Sequence, residues 1–109
     1  MNIDLFILKF GKSHVIQASL MDFRKWLTIN LKDDELNTEQ SYLFFDPPYE
    51  KVELYEELFE YLRTHKFLGR VIIEACQQKT MKIEDFEAKF GESIKQYKKG
   101  TSYFLIYKF

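Results

Sequence analysis

Some segments of the chain repeat apolar residues at helical spacing and others contain short apolar runs typical of strands. This alternation predicts an α/β fold with four helices and five strands. Apolar residues recur every three or four positions in the expected helices, which are 2–10, 52–63, 81–90 and a segment with Phe23, Trp26, Leu27 and Leu31 on its buried side. Short apolar runs predict strands at 14–17, 42–45, 71–76, 93–97 and 102–109. This order indicates parallel crossovers followed by an antiparallel hairpin over the connection 98–101.

The segment YLFFDPPYE, residues 42–50, is the centre of the predicted fold. Four consecutive large apolar residues, 42–45, are typical of a strand buried on both faces, and the same holds for 102–109. Pro47 and Pro48 must end the strand at 42–45 because proline cannot donate to a sheet ladder. Each proline also favours extended backbone in the residue before it. A stiff segment carrying the Asp46 carboxylate is therefore expected at the carboxyl end of a core strand, where open α/β sheets bind ligands.

Composition narrows the class of protein. The chain has 109 residues, enough for one domain, and a net charge of −1, so no overall basic field attracts nucleic acid. Its single cysteine, Cys76, excludes an internal disulfide and fits a reducing, cytoplasmic location. No apolar run reaches the roughly 20 residues that a membrane-spanning helix needs. No cluster of histidine and cysteine predicts a metal site.

Several segments together carry a resemblance to a known family. In order they are VIQASLMDF, LFFDPPYE followed by LYEELFEYL, VIIEAC, and KQYKKGTSYFLIYKF. The chain resembles the C-terminal part of RsmD-type methyltransferases, which use S-adenosylmethionine to methylate N2 of a guanine in small-subunit ribosomal RNA. The resemblance implies a class I, Rossmann-like α/β sheet with a terminal antiparallel β-hairpin. It also implies ribosomal RNA or the small ribosomal subunit as the partner.

The resemblance assigns the chemistry to the DPPY tetrapeptide. The Asp46 carboxylate and the Pro47 carbonyl are expected to accept hydrogen bonds from the exocyclic amine, while Pro48 stiffens the segment. Tyr49 is expected to stack on a base turned out of its helix. Many amino-group methyltransferases share DPPY, including those that methylate adenine N6 or cytosine N4 of DNA, so a DNA methyltransferase fragment stays open. A simple strand stop and turn is the alternative that needs no chemistry.

Weaker assignments concern the surroundings of DPPY. Glu74 ends a strand and is a candidate substrate contact, although an exposed strand end explains it equally well. Lys98 and Lys99 are candidates for phosphate contacts, and a solvated hairpin tip is the alternative. The resemblance places Ala18 and Ser19 where the family contacts the adenine of the cofactor, with Asp46 as a further, weak cofactor contact.

The chain also departs from the family. It lacks the glycine-rich cofactor loop and the second strand with its acidic end. We therefore expect residues 1–109 to be one truncated methyltransferase domain without the first strands of the sheet. The missing strands would lie between 14–17 and 42–45, so an unpaired strand edge is expected at 42–45. A partner chain, self-association through this edge, or direct pairing of the two remaining strands would cover it. A non-catalytic remnant or an RNA-binding module is the alternative function.

Overall fold

A computed structural model describes residues 2–9, 12–19, 23–31, 37–48 and 51–109. In this part of the chain, six strands form one mixed sheet in the order β2-β1-β3-β4-β6-β5. The elements are β1 (Asn2–Lys9), β2 (Lys12–Ser19), α1 (Phe23–Leu31), β3 (Tyr42–Asp46), α2 (Val52–Thr64), β4 (Arg70–Cys76), α3 (Ile83–Phe90), β5 (Lys95–Lys99) and β6 (Ser102–Lys108). None of the described helices is long and apolar enough to cross a membrane.

The helix predicted for residues 2–10 is wrong, because Asn2–Lys9 is the strand β1. It pairs antiparallel with β2, with Lys9 opposite Lys12, so only two positions connect the strands. A two-residue connection that contains a glycine is a hairpin signal. The apolar residues of this segment fit a helical period, but a nearly continuous apolar run fits a strand with neighbours on both sides equally well.

The unpaired edge expected at 42–45 is also absent. β1 lies between β2 and β3 and pairs with β3 from Leu8 opposite Tyr42 to Asp4 opposite Asp46. Direct pairing of β2 with β3, one of the three possibilities for this edge, does not occur, because the two strands are parallel to each other with β1 between them. The edges of the described sheet are β2 and β5, so self-association through residues 42–45 loses its basis.

The remaining elements follow the prediction. β3 and β4 are parallel neighbours connected by α2, and β5 and β6 form an antiparallel hairpin. β6 lies between β4 and β5, as expected for a strand interior to the sheet. Helix α2 buries its predicted stripe, and so does α3; these side chains are Leu54, Tyr55, Leu58, Phe59, Leu62, Ile83, Phe86 and Phe90.

Among the described residues, helices cover one face of the sheet and leave the other face open. The helix-covered face consists of the buried strand positions Leu43, Phe45, Val71, Ile73, Ala75, Tyr103, Leu105 and Tyr107. Helices α2 and α3 pack on it, as shown by the ring contacts of Phe59 with Tyr107 at 4.9 Å and of Phe86 with Tyr103 at 6.3 Å between centroids. Helix α1 buries Trp26 and Leu27 in the same core.

The open face consists of the alternate positions of the same strands. They are Tyr42, Phe44 and Asp46 of β3, Arg70, Ile72 and Glu74 of β4, Phe104 and Ile106 of β6, and Lys95, Tyr97 and Lys99 of β5. These side chains are half-buried or exposed. The expectation that 42–45 and 102–109 are buried on both faces is therefore wrong, since only one face of each strand is fully buried.

Candidate active site

The carboxyl end of β3, at Asp46, is followed along the chain by helix α2, which begins at Val52. After Asp46 the chain continues through Pro47, which is buried, and Pro48, which is half-buried. The Pro48 carbonyl accepts a hydrogen bond from the Lys51 amide at 3.0 Å, and the helix begins at Val52. Because two prolines fix the backbone between a core strand and a core helix, Asp46 has a defined position at the edge of the sheet. Tyr49 lies outside the described residues.

A hydrogen bond from α2 stabilises the neighbouring strand end. The hydroxyl of Tyr55 donates to the Glu74 carbonyl at 2.7 Å, and its ring packs edge-on against Phe45 with 5.8 Å between centroids. Phe45 lies opposite Ile73 in the parallel pair of β3 and β4, so the next residues, Asp46 and Glu74, stand at the same level. The two carboxylates therefore occupy adjacent strands at one end of the sheet, both half-buried.

A third acidic residue, which the sequence pattern did not indicate, stands at the same level. Asp4 of β1 lies opposite Asp46, on the strand next to β3. Adjacent strands are about 4.8 Å apart, so Asp4, Asp46 and Glu74 occupy successive positions across three strands. Because residues 2–10 were predicted as a helix, the alignment of Asp4 with Asp46 was not expected. The glycine at position 11, after a run long enough for a strand, was the signal that could have indicated it.

The predicted cofactor contacts, Ala18 and Ser19, end β2 at the same edge of the sheet as Asp46. Gln17 lies opposite Asp4, and Asp4 lies opposite Asp46, so the end of β2 is two strand spacings from Asp46, or about 10 Å. The structure thus places the predicted cofactor and amine contacts at one edge, but with β1 between them.

Two features that the resemblance implies for an S-adenosylmethionine site are missing from this sequence. Ala18 carries only a methyl group and cannot accept from the adenine amine, and the four glycines of the chain stand alone at positions 11, 69, 91 and 100. A glycine-rich loop, which would cradle the cofactor with its amides, is therefore not present in this sequence. Among the residues whose side chains are described, no group of histidine, cysteine and acidic residues could hold a metal ion either.

Lys98 and Lys99 end β5 and are exposed. Lys99 lies opposite Ser102 and Lys98 opposite Tyr103, so they point to opposite faces of the sheet. Only Lys99 belongs to the open face that carries Asp46. The end of β5 is three strand spacings from β3, about 14 Å. The two lysines therefore do not form one patch beside Asp46.

Cys76 follows Glu74 at the end of β4 and is buried. Hydrogen bonds from the backbone amides of Lys79 and Gln78 lower the pKa of its thiol. The turn that supplies these amides is closed by hydrogen bonds in both directions between Cys76 and Thr80, at 2.7 and 3.2 Å. The turn after β4 thus directs amide dipoles at the same sheet edge, although the thiol is covered by protein.

Comparison with known proteins gives one match. No curated protein and no solved structure matches the chain. A family model described as Conserved hypothetical protein 95 matches residues 8–108, which include the end of β1, the DPPY segment and every later element. The match confirms the resemblance stated from the sequence. The chain therefore belongs to the Conserved hypothetical protein 95 family, the RsmD-type methyltransferases.

Proposed function

We propose that the chain orients the exocyclic amine of a nucleobase for N-methylation, most specifically N2 of a guanine in small-subunit ribosomal RNA. Family membership supports methyl transfer, with S-adenosylmethionine as the donor that the family implies. The observation that carries the proposal is the Asp46-Pro47-Pro48 segment at the carboxyl end of β3, held between a core strand and a core helix. Ligands of open α/β sheets bind at this end of the strands.

The chemistry requires a fixed pair of hydrogen-bond acceptors. The exocyclic amine of guanine is a poor nucleophile because its lone pair is delocalised into the ring. The Asp46 carboxylate and the Pro47 carbonyl accept hydrogen bonds from the two amine hydrogens and hold the nitrogen in one orientation. Acceptors that are already in place need no reorganisation during the reaction, and a fixed amine lowers the entropic part of the barrier. Tyr49 stacks on the base and keeps it out of the RNA helix.

A second candidate function is RNA binding without catalysis. The observation that favours it is the cofactor side of the sheet edge, where β1 separates β2 from β3 and the sequence reads Ala18-Ser19. A chain that binds the base without holding the methyl donor would retain substrate recognition alone.

Two measurements distinguish these functions. Calorimetric titration with S-adenosylhomocysteine tests whether the chain holds the cofactor, and absence of heat favours the non-catalytic function. Transfer of a labelled methyl group to small ribosomal subunits tests the reaction. Asp46→Ala is expected to lower the rate by about 10²–10³-fold, the usual effect of removing one preorganised hydrogen-bonding group. It should leave binding of S-adenosylhomocysteine within about twofold.

Glu60→Ala is the matched control, because Glu60 is an exposed acidic residue in the second half of α2, which leads away from Asp46 to the start of β4. It should change neither measurement. Equal loss of cofactor binding and of methyl transfer in Asp46→Ala would contradict the role given to Asp46. Equal transfer to duplex DNA and to ribosomal subunits would contradict ribosomal RNA as the substrate.

A further inference from the structure

The open face carries a groove away from Asp46, between β3 and β5. It has a volume of about 380 Å³ and is lined by Tyr42, Arg70, Ile94, Lys95, Tyr97 and Ile106. We call it the tyrosine–cation groove. Strand register explains its composition, because Tyr42 lies opposite Arg70 and Lys95 lies opposite Ile106. Four strands therefore contribute to one continuous surface depression.

Two exposed tyrosines stand at the ends of the groove. Tyr42 is 38% exposed and Tyr97 is 50% exposed, although both belong to strands. They are separated by three strand spacings across the sheet, about 14 Å, and by four residues along the strands, about 13 Å, which together make about 20 Å. That length equals about six stacked nucleotides at 3.4 Å each. A tyrosine ring offers a flat face that any base can cover.

Two cations lie between the tyrosines. Arg70 is half-buried and Lys95 is exposed, and none of the described residues that line the groove carries a carboxylate. Strand alternation places Lys99 on the same face of β5 as Lys95 and Tyr97. The edge strand therefore presents lysine, tyrosine and lysine in succession toward the open face. This local positive charge contrasts with the net charge of −1 of the whole chain.

We propose that the tyrosine–cation groove binds a short segment of single-stranded RNA, with bases stacked on Tyr42 and Tyr97 and phosphates at Arg70 and Lys95. Aromatic platforms combined with cations are the chemistry of sequence-tolerant single-strand binding. The proposal rests on the proposed function, because it supplies the RNA that flanks the methylated base. Tyr97 lies opposite Phe104, which lies opposite Glu74, at the level of Asp46. RNA in the groove would thus continue toward the acceptor at a distance of about 14 Å.

Fluorescence anisotropy of the whole chain with a labelled ten-nucleotide single-stranded RNA tests the proposal. Tyr97→Thr, which removes the ring and keeps a β-forming side chain, should weaken binding about tenfold. Tyr97→Phe retains the ring and should bind like the wild type. Lys95→Ala should weaken binding and lower the slope of log K against log salt by about 0.7. Lys82→Ala, an exposed lysine before α3, is the matched control and should change nothing.

Three results would overturn the proposal. The first is wild-type affinity in Tyr97→Thr, and the second is an equal loss in Lys82→Ala. The third is a wild-type dimer in sedimentation velocity that Tyr97→Thr converts to a monomer without affecting RNA binding, because a second copy would then occupy the groove.

Failure of the proposed function is distinguishable from failure of the groove. Asp46→Ala should keep oligonucleotide affinity within about twofold, since Asp46 does not line the groove. If the groove variants bind RNA normally while Asp46→Ala abolishes methyl transfer, the groove proposal fails and the function stands. If the groove variants lose RNA binding while no form of the chain takes part in methyl transfer, the function fails and the groove stands.

Discussion

The two faces of the sheet are built from the same strands but differ in what covers them. In β6, Leu105 faces the helices and is fully buried, whereas its neighbour Ile106 faces the open side and is half-buried. Leu43 and Phe44 of β3 differ in the same way. The helix-covered face holds the aromatic core, and the open face holds Asp46, Glu74 and the tyrosine–cation groove. Along each strand, the residues that stabilise the core therefore alternate with the candidate functional residues, and the two sets lie on opposite faces of the sheet.

The direction of the crossovers explains this asymmetry. The connection through α1 leads from β2 toward β3, and the connection through α2 leads from β3 to β4, so both move across the sheet in the same direction. Right-handed crossovers that move in one direction place their helices on the same face. The hydrogen bond between the hydroxyls of Thr28 and Tyr61, at 2.6 Å, connects α1 to α2 on that face.

The largest effect expected from this comparison is a difference between neighbouring residues of β6. Leu105→Ala should lower the free energy of unfolding by about 2–5 kcal/mol, because it opens a cavity in a fully buried core. Ile106→Ala should cost about 1 kcal/mol, because Ile106 is already partly in contact with water. Urea unfolding of both variants measures the difference. Equal losses would show that both faces of β6 are buried in solution.

A second variant should disturb both faces at once. Gly69 precedes β4, and a Cβ atom at this position would lie 2.2 Å from the Ser41 carbonyl oxygen. That oxygen accepts the Arg70 amide at 2.9 Å, so the contact starts the pairing of β3 with β4. Gly69→Ala should therefore cost about 1–3 kcal/mol by forcing the two strands apart.

Urea unfolding also measures the Gly69→Ala effect. Gly100→Ala is a limited control, since no atom lies within 4 Å of its added Cβ but its positive φ of 63° adds backbone strain. A cost for Gly69→Ala below that of Gly100→Ala would contradict the steric explanation.

The elements that could be predicted from the sequence are those whose apolar pattern fits a helix or a strand but not both. Helix α2 has a broad apolar stripe opposite four glutamates, which no strand period accommodates, and its predicted range agrees with Val52–Thr64. The hairpin of β5 and β6 was predicted from its short connection. Residues 2–10 were not predictable in this way, because their apolar residues satisfy both periods and only the pairing with β2 and β3 decides between them.

The candidate site could be predicted from the sequence only where neighbouring residues along the chain determine it. Asp46 was placed at the end of a core strand because the two prolines must end it, and the structure has β3 end there. Tyr42 and Tyr97 were not predicted as a pair. They are far apart in the chain, and only the order of β3, β4, β6 and β5 brings them to one groove. The sequence holds no local signal for such a relation.

A smaller effect is expected from a buried hydroxyl on the helix-covered face. Tyr103 donates a hydrogen bond to the Met81 carbonyl at 2.6 Å, and burial raises its pKa. A group with a raised folded pKa stabilises the protein below its unfolded pKa of about 10, and this contribution disappears as the pH rises toward the folded pKa. Tyr103→Phe should cost about 1 kcal/mol at pH 7 and should reduce the loss of stability above pH 10.

Urea midpoints between pH 7 and pH 11 measure the pH effect of Tyr103. Tyr107→Phe provides a parallel variant, because Tyr107 donates to the Gly91 carbonyl at 2.8 Å and burial raises its pKa as well. An unchanged alkaline loss of stability in both variants would show that these hydroxyls do not control it.

The smallest effect on the free energy of unfolding should come from the open face. It tests whether the residues that bind RNA are distinct from the residues that stabilise the fold. Tyr97 lies on an edge strand of which every residue is exposed, and half of its own surface is in contact with water. Tyr97→Thr should therefore change the free energy of unfolding by no more than about 0.5 kcal/mol, as for other surface substitutions. Tyr107→Ala, on the helix-covered face of the adjacent strand, should cost about 3–5 kcal/mol by analogy with other large aromatic residues. A residue that contributes little to folding but is needed for RNA binding is a binding residue, whereas a large loss of stability in Tyr97→Thr would mean that the open face is also part of the core.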